Sequence, residues 1–405
     1  MIFRKRHEKK QPYDTNKVRV RNSYYTFSKD YPANMVYRRK AARKKKTYSR
    51  SLRVAAAVLC FVLIAFAAYF VTDLGLKFSY KTDTAESVSQ SENESDNPQI
   101  SLLESDGMKA LYFTYEKLGD EKYLKTFAQK VVSHDANSAV IDFKTQSGHL
   151  CYSSDNEIAM LSKSALFDNE TVRNTVSFLK SKNIHVIARI YCFEDNLTAS
   201  LNSSFAVKYM SSDVTWLDAG EDEGGKAWLN PYSKDAKSYI LDIIKEVKEF
   251  GVDGFILESV SFPQSGSQDT AGYPGEKDSS KRNEQLLNFI TSVKKALSDD
   301  KFVLLWQSAT DAVSGNEQIY YGSISKSSAD GVCADTAERP VGYSIDKKTN
   351  YSSLLSLLSN MKASQNEGAK TVPVISSDDY TARLSRTLVQ NGYNSFLVFD
   401  EEGKY

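Results

Sequence analysis

Short apolar runs alternate with amphipathic segments from residue 108 to the end of the chain. Apolar runs of about five residues between polar or glycine residues are typical of buried strands, whereas apolar residues recurring every three or four positions indicate helices. Strands are predicted near residues 109–115, 139–143, 185–191, 253–258, 302–307, 330–334, 371–375 and 395–399. Helices are predicted near residues 121–132, 171–182, 204–210, 234–250, 282–297, 318–325, 351–364 and 379–391.

This alternation predicts an α/β fold, and eight strand–helix units are what a (β/α)8 TIM barrel requires. A doubly wound open sheet uses the same alternation. Such sheets usually carry a glycine-rich phosphate loop after the first strand, but residues 114–119 read TYEKLG here. The prediction is therefore a TIM barrel over residues 107–405.

A long apolar segment precedes the barrel. Residues 54–71 carry no charge, and a helix from Val54 to Leu76, rising about 1.5 Å per residue, would span a hydrocarbon core of about 30 Å. A cleaved signal peptide is the alternative, but 53 residues precede the segment and no clear small-residue cleavage site follows it. We predict an uncleaved transmembrane signal anchor over residues 54–76.

Charge is distributed unevenly about this segment. Residues 1–53 hold 18 Lys and Arg residues and three acidic ones, whereas the rest of the chain holds 34 basic and 48 acidic residues. Positive charge beside a membrane helix favours the cytoplasmic side, so the basic tail is predicted to face anionic lipid headgroups in the cytoplasm and the barrel to lie outside the cell membrane. Nucleic acid is a second partner for such a tail, but topology explains the same charges and no nucleic-acid partner is predicted.

The segment between the membrane and the barrel, residues 77–106, is rich in Ser, Glu, Asp and Asn. It has almost nothing apolar to bury and is predicted to be a disordered extracytoplasmic linker. The chain contains four His and four Cys residues, and none has a spacing suited to a zinc site or a Ser-His-Asp triad. We therefore expect no metal and no cofactor.

One predicted strand ends in a carboxylate, Glu258, which is followed by a loop. In barrel enzymes the site forms at the carboxyl ends of the strands, so Glu258 is the first candidate for a functional group. The alternative is a strand-end charge that faces water.

Four motifs together are similar to one known family. They are Asp142-Phe143-Lys144, Ile187-Ala188-Arg189-Ile190, Ala227-Trp228-Leu229-Asn230-Pro231-Tyr232 and residues 252–263. In this order they resemble a bacterial family of glycoside-hydrolase-like TIM barrels, formerly classed as a domain of unknown function and often membrane-anchored or secreted. The resemblance implies a glycoside hydrolase acting on a carbohydrate polymer, and the first four strands carry most of it.

The chain also departs from the family pattern. The family's fourth strand ends Phe-Asp-Tyr-Val-Arg-Phe-Pro, whereas residues 257–263 read LESVSFP, so that Glu258 replaces the aspartate and Ser261 the arginine. The fifth strand, which in the family tends to end in Asp, ends here in Trp306-Gln307-Ser308. These departures leave open a catalytically inactive barrel that serves as a carbohydrate-binding or envelope-assembly scaffold.

Glycoside hydrolysis usually needs two carboxyl groups. Partners for Glu258 at the ends of other strands are Glu116, Asp142, Glu194, Asp195, Asp311, Asp335, Glu338, Asp378, Asp379 and Asp400. The preferred catalytic set is Glu258 with Asp335 or Glu194.

Strand alternation also predicts a polar layer at the top of the barrel. Asp142 and Lys144 share the parity of Val140, and Arg189 and Tyr191 share that of Ile187. The four side chains could therefore line the barrel top together, where they either bind sugar or form an internal ion-pair layer. Trp228 and Trp306 are candidate rings for stacking on a sugar, with a place in the core as the alternative.

Overall fold

The computed structural model describes residues 102–103, 107–264, 268–298, 301–314 and 318–400. Eight parallel strands close into a barrel in chain order, because the first strand pairs with the last and Lys109 lies opposite Phe396. The strands are β1 Lys109–Phe113, β2 Ser138–Lys144, β3 His185–Tyr191, β4 Gly254–Glu258, β5 Phe302–Ser308, β6 Gly331–Asp335, β7 Lys370–Ser376 and β8 Phe396–Phe399. The predicted barrel is confirmed, and each strand overlaps its predicted position.

The helices lie in the connections between the strands. They are α1 Glu121–Ser133, α2 Glu157–Ser162, α3 Asn169–Ser181, α4 Asn196–Leu201, α5 Lys234–Lys248, α6 Arg282–Leu297, α7 Ala309–Ser314, α8 Ser352–Ser364 and α9 Ala382–Gln390. The long helices bury one apolar face; in α5 that face comprises Tyr239, Ile240, Ile243, Ile244 and Val247. This is the amphipathic pattern expected of helices around a barrel.

Two predicted helices are wrong. Residues 204–210 are not helical; Lys208–Tyr209 pairs instead with Ala271–Gly272 in a two-stranded antiparallel ribbon. Residues 318–325 form turns, and Tyr321 and Gly322 have positive φ values of 50° and 147°, which a helix cannot contain. Both segments are short apolar runs, for which periodicity does not separate helix from other buried structure.

The core has two parts. Inside the barrel a cluster of inward side chains includes Val140, Ile187, Ile256, Leu304 and Val372. A larger cluster fills the space between the outward strand residues and the helices. Leu102 and Leu103, at the end of the predicted linker, are buried in the inner cluster, so packed residues precede β1.

The basic tail and the predicted signal anchor, residues 1–76, lie outside the described residues. In the part of the chain that the structure describes, no helix has the length and apolar character needed to cross a membrane.

Candidate functional site

The carboxyl ends of the strands form the mouth of the barrel. Six half-buried side chains at the mouth point inward, because they have the same strand parity as the residues of the inner cluster. They are Tyr191, Glu258, Trp306, Asp335, Ser376 and Phe399. Trp306 and Phe399 pack edge to face with ring centroids 5.4 Å apart. The mouth therefore combines carboxyl groups, a hydroxyl group and aromatic rings, which are the side-chain types that bind sugars.

Arg189 lies below these residues and is only 3% exposed. Its Nε and Nη2 donate to the two carboxylate oxygens of Asp142 at 2.5 and 2.9 Å. Its guanidinium carbon lies about 5 Å from the rings of Tyr112, Tyr191, Trp306 and Phe399, at 5.2, 5.1, 4.9 and 4.9 Å. Arg189 and Asp142 thus form the internal ion pair that was the alternative to sugar binding.

Glu258 lies at the end of β4 beside this ion pair. Its side chain is 17% exposed, and its Oε2 is 3.2 Å from Nη1 of Arg189. This contact is not a hydrogen bond, and among the described residues Oε2 accepts none. Burial raises the pKa of Glu258 to about 8; Arg189 opposes the rise, whereas the charges of Asp142, Glu194 and Asp335 add to it.

Glu194 follows β3 and is held by several donors. Gln146 Nε2 donates to one carboxylate oxygen at 2.7 Å, and Ser259 Oγ donates to the other at 3.1 Å. Lys226 Nζ lies 4.0 Å away. Burial raises the pKa of Glu194 to about 7, with Lys226 opposing. Its carboxylate is thus buried and hydrogen-bonded to the residue that follows Glu258.

Ser259 turns the chain as it leaves β4. Its φ of 53° lies in the left-handed region, which a residue with a side chain adopts at some cost. The neighbouring backbone holds this turn, because the Phe193 N–H donates to the Ser259 carbonyl at 3.1 Å. Glu194 and the turn at Ser259 together fix the end of β4, where Glu258 lies.

Asp335 ends β6 and is half-buried at the mouth. Its Oδ1 accepts a hydrogen bond from the Ala337 N–H at 2.8 Å. Burial raises its pKa, whereas this hydrogen bond and the charges of Arg189 and Arg339 act against the rise. Of the two proposed partners of Glu258, Asp335 is the more exposed.

Lys144 does not join the polar layer. The pairing of β2 with β3 shifts register between Asp142 and Lys144, so the alternation that predicted its direction is broken there. Its ammonium contacts Asp195 at 2.9 Å, both side chains being 0% exposed, and donates to the Tyr191 carbonyl at 2.8 Å. The side chain of Lys144 has no exposed surface in this structure and lies in a buried ion pair rather than in the polar layer at the mouth.

Trp228 and Trp306 have different surroundings. Trp306 faces the mouth, as described above. Trp228 is 6% exposed and belongs to the outer cluster, and its Nε1 donates to Asp218 at 3.1 Å. Trp228 therefore takes the core position that was the alternative to a sugar platform.

Among the described residues, no group of three or more His, Cys, Asp or Glu side chains has the arrangement of a metal site. Residues 110–306 match a family model described as "Putative glycosyl hydrolase domain". The predicted family resemblance is confirmed. No curated protein matches the sequence.

Solved structures also resemble this glycoside-hydrolase-like barrel. A hypothetical protein from Ruminiclostridium thermocellum is 23% identical with a TM-score of 0.42, over 48% of this chain and 96% of that one. A chitobiase from Flavobacterium johnsoniae is 11% identical (TM-score 0.44; 72% and 44% covered), and an α-galactosidase from Thermus thermophilus is 9% identical (0.45; 74% and 59%). The chain thus spans about half the length of these two enzymes, and similarities of this strength support no conclusion about function.

The family match runs from β1 into β5. Asp142, Arg189, Glu194 and Glu258 lie within it, and Asp335 lies beyond it. Sequence reasoning missed four residues of the site: Tyr112, whose hydroxyl donates to Asp142 at 2.8 Å; Phe399; Ser259; and Ser376. Tyr112 has the same strand parity as Ala110, and Phe399 the same as Leu397, so alternation along the strands would have indicated both. Nothing local in the sequence indicates the left-handed turn at Ser259.

Proposed function

We propose that this protein is a membrane-anchored, extracytoplasmic glycoside hydrolase that acts on a cell-surface or cell-wall polysaccharide. One observation supports the reaction above all: two carboxyl groups, Glu258 and Asp335, are half-buried in the same aromatic-lined mouth. The membrane anchor and the location follow from residues 1–76 of the sequence and are part of the proposal.

The two carboxyl groups have environments suited to different roles. With a pKa of about 8, Glu258 holds a proton at neutral pH and can give it to the leaving glycosidic oxygen. Asp335, which accepts the Ala337 N–H, serves as the base that activates water. β5 lies between their strands, so the strand axes are about 10 Å apart. This favours the roughly 6.5–9.5 Å carboxyl separation of inverting enzymes.

The test uses the full-length chain purified in detergent. Wild type, Glu258→Gln and Asp335→Asn are incubated with a panel of cell-wall and other polysaccharides, and released reducing ends are measured. We expect both substitutions to lower the rate by at least about a hundredfold. Unchanged thermal unfolding shows that the variants are folded, and Glu367→Gln, an exposed carboxyl group in the connection that precedes β7, is the control. Undiminished release by both site variants would reject the assignment.

One observation favours the scaffold as a second candidate. The guanidinium of Arg189 lies within a set of four rings, including the three at the mouth, and limits the depth to which a sugar can enter. A scaffold would bind a polysaccharide without releasing reducing ends, and Glu258→Gln would leave that binding unchanged.

A further inference from the structure

Arg189 is shared unequally between two carboxylates. Asp142 accepts from Nε and Nη2, which is the two-pronged arrangement in which a guanidinium binds a carboxylate most strongly. Glu258 meets only Nη1, at 3.2 Å and without a hydrogen bond. This buried guanidinium therefore belongs mainly to Asp142.

The position of Asp142 is itself fixed. The hydroxyl of Tyr112 on β1 donates to its Oδ2 at 2.8 Å, and the residue is 3% exposed. The four rings around Arg189 hold the guanidinium from other sides. Nη1 already lies 3.2 Å from Oε2 of Glu258, so a guanidinium released from Asp142 has this carboxylate as its nearest alternative partner.

We propose that Asp142 is a positioning residue: by holding the fork of Arg189, it prevents that cation from forming a full ion pair with Glu258 and so leaves Glu258 able to carry the proton. This rests on the proposed role of Glu258 as the acid. This positioning role differs from the predicted substrate binding by Asp142 and Arg189, because here both residues act on Glu258 and not on the sugar.

Other groups also face Glu258. From β3 and the loop after it come Tyr191, Cys192 and Glu194. From the far side come Tyr320, Cys333 and Asp335. Of the charged groups named here Arg189 is the cation, and it contacts the carboxylate at 3.2 Å. Its pairing with Asp142 rather than with Glu258 therefore adds to the effect of burial in favouring the protonated form of Glu258.

The test follows the protonated carboxyl band of Glu258 by infrared difference spectroscopy in the full-length protein, assigned by its loss in Glu258→Gln. In Asp142→Asn the proton affinity of Glu258 is expected to fall at least about tenfold, moving the midpoint down by about one pH unit or more. The alkaline limb of any hydrolytic activity moves with it.

A double variant tests whether Arg189 takes part in the shift. Asp142→Asn removes a negative charge and also releases Arg189, and both changes lower the midpoint. Adding Arg189→Met to Asp142→Asn is expected to return the midpoint to the wild-type value or above it. A double variant that titrates like the single one would overturn the proposal, because Arg189 would then have no part in the shift.

A milder variant guards against misfolding. Tyr112→Phe removes one hydrogen bond to Asp142 and is expected to shift the midpoint in the same direction by less. Normal titration in Tyr112→Phe together with an unshifted, folded Asp142→Asn would also reject the proposal. The spectroscopic readout does not need turnover, so absence of hydrolysis would reject the proposed function while leaving this test intact.

Discussion

At the scale of single residues, burial controls the site more than pairing does. Glu258 touches a guanidinium and still has a raised pKa, because the loss of water and the surrounding carboxylates outweigh one end-on contact. This arrangement lowers the stability of the folded protein at any pH high enough to ionise Glu258.

The sign of this effect is testable. An unfolded Glu titrates near 4.3, whereas folded Glu258 titrates at about 8. The folded state binds the proton more tightly, so this contribution to stability is complete below about pH 4 and is lost as pH rises through about 8. Relative to Glu258→Gln, we expect the wild-type free energy of unfolding to fall by on the order of 2–4 kcal/mol from pH 5 to pH 9. Urea unfolding at several pH values measures the free energy of unfolding of both proteins. If this free energy changed with pH in the same way in wild type and Glu258→Gln, the prediction would be contradicted.

The buried pair of Lys144 and Asp195 gives a second residue-scale prediction. Lys144→Met leaves the Asp195 carboxylate buried without its cation, and we expect a loss of about 3–5 kcal/mol in the free energy of unfolding. Asp195 also caps α4 by accepting the Thr198 N–H at 2.8 Å, and Asn is an equally good cap. Adding Asp195→Asn to Lys144→Met should therefore recover much of the loss in denaturant unfolding. A double variant as unstable as the single one would show that the charge is not the cause.

At the scale of elements, packing across the floor of the barrel limits which residues a strand can contain. Gly254 begins β4 opposite Phe302 of β5, and a Cβ on Gly254 would overlap the Phe302 ring. The ring is 2% exposed and belongs to the inner cluster, so it has little room to move.

We expect Gly254→Ala to cost about 1–3 kcal/mol in the free energy of unfolding. Combining it with Phe302→Leu should cost less than the sum of the two single changes, because the smaller side chain makes room for the methyl group. Gly220→Ala is the control, since its Cβ would meet its nearest neighbour at 3.8 Å, and it should change stability by less than about 0.5 kcal/mol. Additive costs would reject the steric explanation.

At the scale of the whole molecule, the proposed membrane anchor predicts how the barrel is attached to the bilayer. An apolar helix and a basic tail hold a protein to a bilayer by different forces, and only the electrostatic one is weakened by salt. We expect the full-length chain to stay with membranes in high salt and to be solubilised by detergent. Deleting residues 54–76 should release it.

Cleavage of terminal tags by external protease tests the predicted topology. A tag at the C-terminus should be cleaved by external protease on cells whose outer layers are permeable to it, while a tag at the N-terminus should be protected. Release of the full-length chain by salt alone, or protection of both tags, would reject the predicted signal anchor.

Much of the fold could be predicted because the strands are local signals. Each barrel strand is an apolar run with a definite end, and Glu258 was found as a candidate because it stands at such an end. The helices at residues 204–210 and 318–325 were wrong because a short apolar run has no periodicity long enough to decide between conformations. Lys144 was misplaced because one bulge reverses the alternation on which its direction was predicted.

The sequence by itself determined the alternation of strands and helices, the residues that end each strand and the charge contrast on either side of residues 54–76, because these depend on neighbours along the chain. Only the tertiary structure decided which of those strand-end groups share a partner. Whether Arg189 binds Asp142 or Glu258, whether Glu194 faces the mouth and whether a tryptophan is covered depend on strands and loops far apart in sequence. Those contacts set the solvent exposure and electrostatic field of each carboxyl group, and these in turn set its chemistry.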